Sequence, residues 1–180
     1  MRDVTLEQDD LQEELGAATE ELTDERPPEK NLGAESSRVG LRIMSRVSLH
    51  ADERKLGMAF GTDCGYLMPN EKKARFPDGS FVAKGRLPDE RTPEGNLKLA
   101  PDLAVEVVSP NDLAYEVEEK RVAYLRGGVR LLWVVYPPSR TVFVFRLAST
   151  VALLGEGDTL SGEDVLPDFR CPVARFFEDL

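Results

Sequence analysis

The stretch LAPDLAVEVVSPNDLAYE, residues 99–116, limits this chain more than any other. Leu103 to Val108 is apolar enough for a buried strand, yet Asp102 opens it and Glu106 interrupts it. An ionised carboxylate taken out of water costs several kcal/mol unless something compensates it. Side chains alternate along a strand, so Asp102, Ala104, Glu106 and Val108 share one face while Leu103, Val105 and Val107 take the other. The two acids then stand roughly 13 Å apart at an extended rise, too far to grip one ion together. Glu106 needs a nearer partner.

Two other segments offer one. In RFPDGSFV, residues 75–82, Asp78 stands just ahead of another apolar strand. If the two strands are neighbours, Asp78 faces Glu106 across about 5 Å, suitable for sharing a cation. Mg2+ is commonly held by one or two carboxylates, with waters and substrate phosphates completing its shell. The second segment is a helix expected over 111–126, where Leu113, Val117 and Tyr124 make an apolar stripe and Lys120 falls on the same side. Glu116 lies one turn before Lys120 as an i,i+4 pair. Spacing alone leaves two places for the ammonium: in water along the helix surface, or over the strand edge toward the acids. Acids, a lysine and a metal together supply what phosphodiester hydrolysis needs. The competing reading is that Asp102 and Glu106 form structural salt bridges.

The rest of the chain reads as one α/β domain with a mixed sheet. Leu11, Leu15, Ala18 and Leu22 predict an acidic amphipathic helix over 1–26, ended by RPPEKNLG. Residues 1–33 are thus an N-terminal helix and linker, and 34–180 the main domain. A second helix is expected from Glu35 to Lys55, with His50 in line with Val39, Ile43 and Val47. Strands follow at MAFGTDCGYLMP (one or two), FPDGSFVAKG, DLAVEVVS, RLLWVVYP, TVFVFRL and STVALLG, and the end is a loop with a closing helical turn. A helix-length connection between DLAVEVVS and RLLWVVYP implies a parallel pair.

Composition removes several functions. His50 is the only histidine, which excludes Ser-His-Asp chemistry relying on a second one and disfavours zinc. Cys64 and Cys171 form no metal-ligand spacing and read as free thiols. The net charge of −10 argues against tight nonspecific DNA binding by a monomer, although a locally basic cleft stays compatible with it. No apolar run nears the roughly 20 residues of a membrane span, and the acidic N-terminus is no signal peptide, so a cytoplasmic protein is expected.

FPDGSFV, APDLAVEVVSP, EVEEKRVAYLRGGVRLLWVVYPPSRTVFVFR and LPDFRCPVARFF together resemble the Uma-type restriction endonuclease family of the PD-(D/E)XK nuclease superfamily, over about 57–178. The resemblance implies a restriction-endonuclease-like core and a Mg2+-dependent centre, with Mn2+ as a substitute. It implies Asp78 as first acid, Glu106 as second, and Lys120 as the lysine, since Val108 stands where the superfamily usually has it. It assigns Asp102 to ordering the loop, and leaves Glu116 and Glu35 as supporting acids. Gly79, where relatives carry an apolar residue, is expected to loosen the local backbone. The function implied is a DNA endonuclease. The alternatives are a catalytically inactive nuclease-fold binding or regulatory module, and a phosphodiesterase acting on a nucleotide or small RNA. An exposed-looking LLWVV strand and the acidic first helix make a homodimer plausible, although Trp133 itself reads as core.

Overall fold

The computed structural model describes residues 33–147 and 150–180. The helix expected over 1–26 and most of its linker therefore lie outside the described residues.

Helix α1 (Ala34–Arg54) buries Val39, Ile43, Val47 and Ala51 at the four-residue spacing of one helix face. It ends where Lys55 turns left-handed, two residues before Gly57. Six strands then form one sheet in chain order: β1 (Gly57–Phe60), β2 (Gly79–Ala83), β3 (Leu103–Val107), β4 (Leu131–Tyr136), β5 (Thr141–Arg146) and β6 (Val151–Leu154). Every neighbouring pair is antiparallel except β3 and β4, which are parallel, as the helical connection between them requires. That connection contains helix α2 (Ala114–Gly127), closed by Gly128 at φ 98°, a left-handed position suited to glycine.

The sheet is covered on both faces. Leu103, Val105, Val107, Trp133 and Val135 meet α1 and the C-terminal residues Phe169, Phe176 and Phe177. Ala104, Leu132 and Val134 meet Tyr66, Leu97, Tyr124 and Val129 on the side of α2. Burial of each large apolar side chain contributes about 1.5–3 kcal/mol, enough in sum to offset the burial of a few charges between the layers.

Several expectations change here. β4 is the sheet's interior, with Leu131 to Val135 buried, so the LLWVV strand offers no exposed dimer face. MAFGTDCGYLMP holds one of the one or two strands expected, β1, and Tyr66 makes single bridges to Arg75 and Leu97. The C-terminal loop contains a small hairpin, β7 (Thr159–Ser161) with β8 (Arg170–Pro172), ahead of a 3-10 turn at Val173–Phe176. Three-residue strands carry too little periodicity to be read in advance. His50 is half-buried, its Nε2 donating to the Pro167 carbonyl at 2.8 Å and its ring edge-on to Phe169. Cys64 and Cys171 are free. No helix among the described residues is long and apolar enough to cross a membrane.

Gly79 does not loosen the backbone. It is a buried residue of β2, and a Cβ there would stand 2.3 Å from the Met44 side chain of α1, which would have to move aside. Leu113 is 52% exposed and sits just before α2, because the helix starts at Ala114 rather than at 111; Asp112 folds back to accept from the Ser109 N–H and hydroxyl.

Candidate active site

The register of β2 on β3, Gly79 opposite Val105, places Asp78 opposite Glu106 one step further along. Asp78 Oδ2 accepts the Val107 backbone N–H at 2.7 Å, which extends the ladder by a side chain and fixes the carboxylate at the sheet's end. Glu106 is 6% exposed, and both of its oxygens are engaged: Oε2 accepts from Lys120 Nζ and Oε1 from the Tyr124 hydroxyl, each at 2.6 Å. Lys120 and Tyr124 are four residues apart on α2, so one helix face delivers both donors to one carboxylate.

The electrostatics follow from this crowding. Burial, then the neighbouring Glu106 charge, pushes the Asp78 carboxyl up to about 7, against the opposing pull of the Val107 N–H and Lys120. Burial works against the charge on Lys120, but Glu106, through charge and hydrogen bond, and then Asp78 and Asp112 outweigh it and hold the ammonium above its ordinary range. Tyr124, buried against the Glu106 charge, is held well above its usual value and stays a neutral donor. Asp78 also lines a cleft of about 250 Å3 between Ser36, Ser37, Gly40, Leu41 and Met44 of α1 and the loop residues Gly61 and Thr62.

Of the residues singled out from the sequence, Asp78, Glu106 and Lys120 come together. Asp102 does not join them. Its carboxylate accepts from the Ala83 N–H at 2.8 Å and pairs with Arg86 at 2.6 Å and Arg130 at 3.4 Å, at the far end of β3. Glu116 Oε2 accepts from the Leu113 N–H at 3.2 Å, fastening the start of α2. Glu35 is exposed in the first turn of α1, where a negative charge suits the helix dipole. Two contributors were not read from the sequence. Tyr124 passed for part of an apolar stripe, although its spacing from Lys120 was the available signal. Ser36 is buried and donates to the Val108 carbonyl at 3.2 Å, tying α1 to the end of the strand that carries Glu106.

The donor set suits a hard divalent cation. Among the described residues no group of three or more His, Cys, Asp or Glu is arranged to hold a metal, so the chain offers two carboxylates and no closed cage. Two carboxylates served by one ammonium fall one positive charge short once Asp78 ionises, and Mg2+ accepts one or two carboxylates with waters.

A family model described as "Uma2: Putative restriction endonuclease" matches residues 9–174. Among solved structures, a putative nuclease belonging to DUF820 from Anabaena variabilis is similar at a TM-score of 0.69 and 19% identity, covering 81% of each chain. That likeness shows a shared fold. No curated protein matches the chain.

Proposed function

The chain belongs to the Uma2 family, and from that premise we propose that it is a metal-dependent nuclease hydrolysing phosphodiester bonds in DNA. The observation that carries this reading is the meeting of Asp78, Glu106 and Lys120 at the open end of β2 and β3. Asp78 and Glu106 would hold Mg2+, or Mn2+ in its place. The cation supplies Lewis acidity, acidifying water and offsetting charge on the phosphate. Tyr124 holds Glu106 in one orientation, and the Val107 N–H does the same for Asp78. The Lys120 side chain, 38% exposed, brings a positive charge to the edge of the acids, where charge builds on a phosphate under attack.

A second reading, a nuclease-fold module without catalysis, draws support from the net charge of −10, because duplex binding relies on phosphate neutralisation by cations. Cleavage of supercoiled plasmid in Mg2+ or Mn2+ separates the two. Nicking by the wild type that is lost in an identically purified Glu106→Ala variant supports the nuclease. Equal nicking by both points to a contaminant, and none by either favours the module.

A further inference from the structure

We propose that Lys120 is the site's internal counter-ion: it occupies Glu106 Oε2 while no metal is bound and gives up that oxygen to a divalent cation. Metal binding and release of the Lys120 ammonium are then a single event. This deepens the metal-centre reading above and rests on it.

The argument begins with Glu106, whose two oxygens are both taken. Each oxygen keeps a second lone pair to which a cation can bind, so the conflict is one of charge rather than of acceptor sites: an entering divalent cation meets an ammonium already seated on Oε2. The donors are not equally able to leave. Tyr124 is 1% exposed, and its ring is part of the core between α2 and the sheet, so withdrawing its hydroxyl would disturb packed side chains. Lys120 ends in a compact ammonium on a flexible four-carbon stem, and its side chain already reaches solvent. It can swing without moving the helix. Like charges give the same direction: a divalent cation beside the acids repels an ammonium 2.6 Å from one of them.

Two consequences follow. Because linkage is reciprocal, whatever Lys120 gains from Glu106 is lost to the metal, so removing the ammonium must tighten metal binding. The freed ammonium also becomes available to a phosphate only once the cation is in place, which ties substrate capture to the loaded state.

The test uses the full chain without DNA. Binding of Mn2+ is followed by the electron paramagnetic resonance signal of the free ion, in wild type, Lys120→Met and Glu106→Gln. In parallel, acylation of Lys120 by an N-hydroxysuccinimide ester is timed by peptide mass spectrometry in wild type, with and without Mg2+. The expected result is Mn2+ binding about tenfold tighter in Lys120→Met, together with Mg2+-accelerated acylation of Lys120 while the other lysines keep their rates. Unchanged or weaker Mn2+ binding in Lys120→Met overturns the proposal. So does a Lys120 acylation rate that Mg2+ leaves unchanged or slows, a readout that needs no variant to fold. Equal Mn2+ affinity in wild type and Glu106→Gln overturns the metal centre itself, and is distinguishable because it does not depend on Lys120.

Discussion

The two ends of β3 carry buried acids on the same face of the same strand, and their surroundings differ in sign. Asp102 meets two guanidinium groups and a backbone N–H. Glu106 meets one ammonium, a neutral phenol and a second acid, Asp78. At the first end the charges balance, because Arg130 also pairs with Asp164. At the second, two acids face one ammonium, and burial first and the Glu106 charge second make Asp78 hold its proton to about pH 7. A carboxylate whose charge is fully answered by rigid partners has no further chemistry to offer. One left partly unanswered at an accessible edge is where a cation is needed.

The comparison can be broken at either end, and the largest effect belongs to Asp102. Asp102→Ala strips the shared partner from Arg86 and Arg130 and leaves the Ala83 N–H unpaired, so denaturant unfolding should show a loss of about 3 kcal/mol. Cleavage per folded molecule should persist. Tyr124→Phe removes one of the two donors to Glu106 and should cost about 1–3 kcal/mol by the same measurement. Unlike the Asp102 change, it should also lower the cleavage rate, because Glu106 loses its fixed orientation.

Asp78→Asn runs the opposite way. The folded protein keeps the Asp78 proton up to about pH 7, whereas the carboxyl's ordinary value is 3.8, so between those values folding takes up a proton. Wild-type stability from this group is full below pH 4 and declines as pH rises toward 7. Asparagine cannot ionise, so the metal-free variant should melt higher than wild type, with the gap opening between about pH 4 and pH 7 and level above that. A variant that melts lower at pH 8 would remove the acid crowding from the account. The smallest effect is Leu113→Ala, which should change stability by no more than about 0.5 kcal/mol, since this side chain is exposed and neither residue's side chain caps α2.

Much of this contrast was legible before the fold. Acids inside an apolar strand are conspicuous because their burial is costly, and a strand's two-residue period put Asp102 and Glu106 on one face. Helix spacing left Lys120 open between solvent and the acids, and the family resemblance assigned it to the acids. Partners supplied from far along the chain were not legible: nothing local marks Arg86 and Arg130 as answering Asp102. Tyr124 was hidden differently, because an aromatic at helical spacing reads as core and its hydroxyl is silent until a carboxylate is found above it. The neighbour of Gly79, the Met44 side chain from α1, lies 35 residues upstream and could not be read locally.

The central claim is that the Glu106 end of β3 is built for a divalent cation and the Asp102 end is not. Melting temperatures with and without saturating Mg2+, in wild type and Glu106→Gln, test it most directly, since a ligand that binds only the folded state raises its stability. The account predicts a Mg2+-dependent rise in wild type that disappears in Glu106→Gln. An equal rise in both proteins would contradict it.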